Sequence, residues 1–209
     1  MKKYQIIYAD PPWPVDMVRF GKNKGKRFTC YPIMKVEEIC KMKFDFFDTP
    51  SVIFMWATHT FLHDAFHVLQ SWGFKYHSCI TWAKDGGMVN WGFHRSTEFL
   101  LYGYRGACPR SALFGKAFPC MVSAERGRHS EKPHLFRDII ASKFSGNKIE
   151  LFARERVAGW DAWGNEIEES HVLCEESPAQ DTMEICHTAP NSAMLQGLKP
   201  HAGGTGTSA

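Results

Sequence analysis

The sequence predicts one α/β domain, a sheet of short buried strands with helices on both faces. Three observations carry that reading. Short apolar runs, each stopped by proline, glycine or a polar cluster, recur between Tyr4 and Ala153. Segments with a single apolar helical face lie between them, as expected where crossovers join the strands of a sheet. The composition, 44% hydrophobic and 14% aromatic over 209 residues, is that of a packed globule with length to spare.

Residues 4 to 8 (Tyr-Gln-Ile-Ile-Tyr) read as a buried strand that ends at two prolines. A long loop follows, from Pro14 to Tyr31, and then a short helix from Met34 to Met42 with Val36, Ile39 and Cys40 on one face. Ser51 to Ala57 is a second strand. Thr58 suits an N-cap for a helix reaching Ser71, with Gly73 after it. His77 to Ala83 is a third strand, Asp85 to Arg95 a loop, and Thr97 to Tyr102 a fourth strand closed by Gly103. Ala107 to Phe118 is irregular, and Cys120 to Ala124 reads as another strand. Pro133 suits the first turn of a helix lasting to Phe144, with Leu135, Phe136, Ile139 and Ile140 as its apolar stripe. Lys148 to Ala153 is the last strand. Past Asn165 the periodicity dissolves, and 167–209 reads as an acidic, flexible tail after a catalytic domain of residues 1–166.

Charge is divided along the chain. Residues 1–165 carry 24 basic and 15 acidic groups, net +9, and the remainder carries one basic and seven acidic, net −6. A basic body favours a polyanionic partner. The segment Arg19 to Arg27 holds five positive charges and no negative one, among them Lys22, Lys24, Lys26 and Arg27. It suits a lid or a phosphate-contacting loop, and a plain solvated loop stays open beside that reading. Seven cysteines without a Cys-x-x-Cys pair point to reduced thiols in a cytosolic setting. No secretory signal or membrane span is expected, the longest clean apolar run being Val52 to Ala57. No metal is expected. His59, His63 and His67 share a helix face but spread over too many turns to reach one ion, and His171, Cys174, Cys186 and His187 fit no standard finger spacing. The absence of Gly-x-Gly-x-x-Gly and of a P-loop weighs against a dinucleotide dehydrogenase or a P-loop nucleotidase.

The chemistry concentrates at Ala9-Asp10-Pro11-Pro12-Trp13, where the first strand leaves its sheet. Pro11 disfavours a helical backbone at Asp10, and the paired prolines fix an extended turn. Neither proline brings an N–H, so the carbonyls there are expected to stay open to outside donors. In open α/β sheets, ligands bind at this end of the strands. A carboxylate, a carbonyl and a flat ring suit methyl transfer to an aromatic amine. The adenine amine is a poor nucleophile because its lone pair is delocalised into the ring. Asp10 and the Pro11 carbonyl would accept its two N–H bonds and draw the nitrogen toward a tetrahedral shape, freeing the lone pair for in-line attack on a sulfonium methyl. Trp13 would stack on a base that is single-stranded or flipped from a duplex. Taken alone, the five residues leave an ordinary turn equally open. The cytosine amine is a further target, which the ring at position 13 disfavours.

Several separated stretches together resemble the MT-A70-like adenine N6-methyltransferase family, which includes mRNA adenosine enzymes and bacterial and phage DNA enzymes. They are Ala9-Asp-Pro-Pro-Trp13, Tyr31-Pro-Ile-Met34, Phe54-Met-Trp56, Trp82-Ala-Lys84 and Arg95-Ser-Thr-Glu98. His129-Ser-Glu-Lys-Pro133, Lys148 through Arg154, and Trp160 through Glu166 complete the set. The pieces run in the family's order over residues 4 to 166. The resemblance implies S-adenosylmethionine as methyl donor and a Rossmann-like sheet in circularly permuted order, the catalytic strand preceding the cofactor strand. By motif position, Asp10, Pro11, Pro12 and Trp13 would form the catalytic turn, and Tyr31 and Glu98 would lie near the target nucleoside. Lys132 would reach the donor carboxylate or the substrate, and Arg154, Asn165 and Glu166 would bind the donor. Because only Met1 to Lys3 precede the catalytic strand, an upstream acidic contact to the donor adenine is expected to be absent or replaced. With no separate recognition domain, substrate selection falls to the loops at 14–31, 85–95 and 105–132, and a short or loose recognition sequence follows. The small size favours DNA as substrate, with RNA or a catalytically silent nucleic-acid-binding subunit as alternatives. A bacterial or phage-infected host cytoplasm is the implied setting; the oligomeric state stays open.

Overall fold

The computed structural model describes residues 1–14, 33–90, 92–108, 117–127, 131–165 and 167, all within one compact unit, Met1–Cys174. A second unit, Glu175–Ala209, lies outside the described residues. The described residues form strands β1 (Tyr4–Ala9), β2 (Phe47–Ala57), β3 (Lys75–Asn90), β4 (Phe93–Arg105), β5 (Met121–Ser123), β6 (Lys148–Leu151) and β7 (Asp161–Trp163), and helices α1 (Val36–Lys41), α2 (Leu62–Ser71) and α3 (His134–Lys143).

The strands form one sheet in the order β5-β3-β4-β2-β1-β6-β7. The pairs β1·β2, β1·β6, β6·β7 and β3·β5 are parallel, whereas β4 runs antiparallel to both neighbours. The carboxyl ends of the other six strands therefore share one edge with the amino end of β4. That edge is where an open α/β sheet presents its ligand site.

Alternation along the central strands builds two cores. Ile7, Ala9, Ile53, Met55 and Leu101 face α1 and α2, which contribute Ile39, Ala65, Val68, Leu69 and Trp72. Ile6, Tyr8, Val52, Phe54, Trp56 and Leu100 face α3, which contributes Phe136 and Ile140. Helices thus cover both faces, as the sequence predicts. Continuous apolar runs are what strands buried on both sides require, and each fully buried Ile or Leu contributes ~1.5–3 kcal/mol. β1 and β6 are neighbours, Tyr8 opposite Glu150, although most of the chain separates them. The strand that leads into Asp10 thus comes first in the sequence and its neighbour β6 near the end of the described residues.

Several element boundaries differ from the sequence reading. The N-cap of α2 is Phe61 rather than Thr58, and, a phenyl ring having no acceptor, it brings no side-chain cap; the ring stacks on Trp13 instead. The expected loop 85–95 is instead a ribbon: β3 runs to Asn90 and β4 starts at Phe93. Gly86 and Gly87 lie in a bulge between the Ala83↔Thr97 and Met88↔Arg95 pairs. β6 stops at Leu151 because Phe152 adopts a left-handed φ of 61°. β7 was not expected, its three residues being too few to show alternation. No described helix is long and apolar enough to cross a membrane.

Candidate active site

Asp10 stands immediately past β1 at the carboxyl edge, its N–H directed at the Leu151 carbonyl of β6 (3.5 Å). Its carboxylate accepts a hydrogen bond from Lys132 Nζ at 2.8 Å. Lys132, which precedes α3, also lies 3.5 Å from Glu98 Oε2. Glu98 Oε1 accepts from Lys84 Nζ at 2.9 Å. An alternating chain, Lys84–Glu98–Lys132–Asp10, therefore runs along the edge, each side chain 9–20% exposed. Glu98 Oε2 is buried and accepts no hydrogen bond. It is enclosed beside the Lys132 ammonium rather than open to solvent.

Aromatic side chains form the support beneath this chain. Lys132 Nζ lies 5.5 Å from the Trp56 ring centroid and Lys84 Nζ 5.4 Å from that of Trp82. Trp56 donates its indole N–H to the Tyr8 hydroxyl (2.6 Å), and Trp82 donates to the Ala124 carbonyl (2.8 Å). Burial pushes the Tyr8 phenol well above its ordinary range, with the Trp56 hydrogen bond opposing it. These bonds satisfy buried polar groups that would otherwise cost about 1–3 kcal/mol each, and they fix the rings under the ammonium groups.

The catalytic turn differs from expectation in two respects. The proline carbonyls are not all open: Pro11 accepts from Trp13 N–H at 2.8 Å and Pro12 from Met34 N–H at 2.9 Å. A carbonyl oxygen has two acceptor positions, so Pro11 retains one. Trp13, expected to stack on a base, is 4% exposed. Its indole lies parallel to Phe61 at 5.6 Å and donates to the Trp56 carbonyl at 3.1 Å. In this arrangement Trp13 anchors the turn from beneath, and its ring is closed off from solvent.

Lys132 lies on the acceptor side of the site, bonded to Asp10. Arg154 and Asn165 follow β6 and β7 at the same edge, and both are exposed. Parallel strands are spaced ~4.8 Å apart, so β7 lies about 10 Å from β1. A Cβ on Gly164 would stand 2.3 Å from the Ala153 carbonyl oxygen. This close approach brings the stretches bearing Arg154 and Asn165 together. Lys22, Lys24, Lys26, Arg27, Tyr31 and Glu166 lie outside the described residues.

Trp56 and Lys84 stand in two of the stretches that carry the family resemblance, with no role assigned to them there, and His59 carries no signal in the sequence that marks it for the site. The first two could have been found from their position at strand ends. His59 lies ahead of α2 rather than on it; its Nε2 meets Thr97 Oγ1 at 2.8 Å, and Arg95 donates to Thr60 Oγ1 at 2.7 Å. Burial, aided by Arg95 and Lys84, lowers the His59 pKa. His63 and His67 pack edge to face at 4.6 Å. No group of three or more His, Cys, Asp or Glu side chains suited to a metal occurs among the described residues.

The MT-A70 family model matches residues 4–166. The chain is 32% identical to Type II methyltransferase M.MunI of Mycoplasma sp over 88% of this chain and 84% of that protein. It is 25% identical to a putative N(6)-adenosine-methyltransferase MT-A70-like protein of Medicago truncatula, over 79% of this chain and 26% of the relative. A similar protein of Arabidopsis thaliana, N(6)-adenosine-methyltransferase MT-A70-like, is 25% identical over 78% of this chain and 24% of its own length. The chain thus spans most of the Mycoplasma protein and about a quarter of each plant one.

Proposed function

The chain belongs to the MT-A70 family, and from that premise we propose that it methylates the exocyclic N6 amine of adenine in DNA, with S-adenosylmethionine as donor. The observation that carries the reading is the Asp10 carboxylate at the carboxyl end of β1, hydrogen-bonded by Lys132, with the Pro11 carbonyl retaining one acceptor position beside it. DNA is favoured over RNA because the chain spans most of a type II methyltransferase but only a quarter of the plant adenosine enzymes.

Asp10 and Pro11 accept the two N–H bonds of the amine and turn its lone pair toward the methyl. Glu98 holds Lys132 beside Asp10 through their ion pair. Lys132 orients Asp10 and offsets the concentration of negative charge between Asp10 and Glu98. The nitrogen would take the methyl as its bond to sulfur breaks, leaving a neutral thioether, and would shed one proton, for which Asp10 is the adjacent acceptor. The donor fits the other half of the edge. Arg154 suits its carboxylate, and Asn165 and Glu166 suit its ribose hydroxyls, hydrogen bonds that dinucleotide folds also use. When bound, S-adenosylmethionine supplies an electrophilic methyl on a cationic sulfur. Such an enzyme would work beside DNA, in the cytoplasm of a bacterium or phage-infected host.

The test is to incubate the protein with S-adenosylmethionine and plasmid DNA or total RNA, digest each to nucleosides and identify the product by mass. N6-methyldeoxyadenosine is the expected product. A methylated adenosine from RNA alone would move the substrate to RNA, and methylcytidine would overturn the choice of base.

A further inference from the structure

The pairing of β2 with β4 ends at Ala57↔Phe99, and β5 leaves β3 after Ala83. Beyond those points β3 and β4 pair only with each other, through Val89↔His94 and Asn90↔Phe93. At ~3.3 Å per residue, the stretch from Thr97, opposite Ala83, to Phe93 projects about 13 Å past the sheet. The ribbon rises from the catalytic edge itself, since its root holds the Lys84–Glu98 pair joined to Lys132 and Asp10.

Opposite Ser96 alone, β3 carries the four residues Lys84–Gly87. A bulge of this kind re-aims the strands beyond it. Arg95 ties the ribbon to Thr60, and Arg126 approaches within 3.5 Å of where a Cβ on Gly86 would be. At the tip, Gly92 takes a φ of +79°, and a Cβ there would meet nothing within 4 Å. The next ring, Phe93, is 76% exposed. Single exposed apolar residues are ordinary on a surface. This one stands at the end of a projecting ribbon, about 17 Å along β4 from Glu98, and is followed in sequence by His94 and Arg95. Asp85 is the one acid on the ribbon above its root.

An adenine paired in a duplex must leave the stack before its amine can meet Asp10. Apolar side chains that enter a base step unstack and kink the duplex there, so a neighbouring base has less stacking left to lose. We propose that Phe93 is an aromatic wedge, entering the base stack of duplex DNA next to the adenine delivered to the Asp10 site. The inference rests on the DNA methylation reading and adds how the duplex is opened.

The test uses the full chain, radiolabelled S-adenosylmethionine and one plasmid DNA, presented native or heat-denatured. Phe93→Ala should lower transfer into native DNA about tenfold or more, the scale of one base–aromatic stack, and lower transfer into denatured DNA less than about threefold. Phe93→Trp should restore native DNA as a substrate. Equal losses on both DNAs, or no loss on either, would overturn the wedge. So would a Phe93→Ala protein that sediments as a smaller species than wild type, which would assign the ring to a contact between subunits. A wild-type protein that labels neither DNA would instead overturn the DNA methylation reading, and the wedge with it.

Discussion

Gly164 lies against the backbone of Ala153 so closely that a Cβ there would also stand 2.7 Å from the Ala153 nitrogen. Ala153 N–H in turn donates to the Trp163 carbonyl at 3.0 Å. The ends of β6 and β7 are pinned together at this point, and Phe152, at φ 61°, makes the turn that allows it. A non-glycine residue in that region stores strain of order 1–3 kcal/mol. Gly164→Ala must separate two backbones, at about 1–3 kcal/mol of stability. It should also weaken donor binding about tenfold, measured by calorimetry with S-adenosylmethionine. Unchanged affinity would show that this crossing does not shape the donor site.

Arg137 and Glu150 are each 7% exposed and lock α3 onto β6. Arg137 Nη2 donates to Glu150 Oε1 at 2.9 Å, and Nε lies 2.9 Å from Oε2 in an ionic contact too poorly angled for a hydrogen bond. Burial raises the Glu150 pKa although Arg137 pulls it down. Removing one partner strands a buried charge at about 3–5 kcal/mol, whereas an apolar pair of similar volume is often neutral. In urea unfolding, Arg137→Met alone should be the less stable protein, and Arg137→Met with Glu150→Leu should recover most of the loss.

Lys132 touches Asp10 and Glu98 rather than standing free for the donor carboxylate. Lys132→Met should therefore lower kcat about a hundredfold, the cost of a misplaced reacting group, while leaving donor affinity within about threefold. A large loss of donor affinity at near-normal kcat would return Lys132 to the donor side.

Asp161 opens β7 and accepts hydrogen bonds from Lys2 and from the Tyr4 hydroxyl at 2.7 Å. Burial alone would raise its pKa, but these bonds outweigh burial and hold it below the ordinary carboxylate range. A depressed carboxylate contributes stability that is complete above its unfolded pKa, near 3.8, and is lost as pH falls through the lower folded value. Asp161→Asn should be less stable at neutral pH and show a flatter acid limb below pH ~4. An unchanged acid limb would remove Asp161 as a contributor.

Lys22, Lys24, Lys26 and Arg27 are expected to meet phosphates. Neutralising all four should weaken binding to DNA of any sequence and flatten log K against log salt by up to about four units of slope. An unchanged slope would make that segment idle surface.

The sheet and its helices were legible because strands such as β2 are apolar almost throughout and flanked by turn residues. The Asp10 turn was legible because proline restricts its neighbour whatever the surroundings. The orientation of Trp13 was not legible, since a ring beside a turn can face in or out and only Phe61, far along the chain, decides between them. The β3–β4 ribbon was hidden because two of its glycines, Gly86 and Gly87, serve a bulge rather than an end. The Lys84–Glu98–Lys132 chain needs strand register and the approach of α3, neither of which leaves a local pattern.

The most direct measurement is methyl transfer from radiolabelled S-adenosylmethionine to plasmid DNA by wild type and Asp10→Ala, with donor affinity measured on both proteins. Label on the N6 of adenine from wild type, and none from a variant that still binds the donor normally, is the expected result. Equal transfer by the two proteins would contradict the role given to the Asp10 carboxylate.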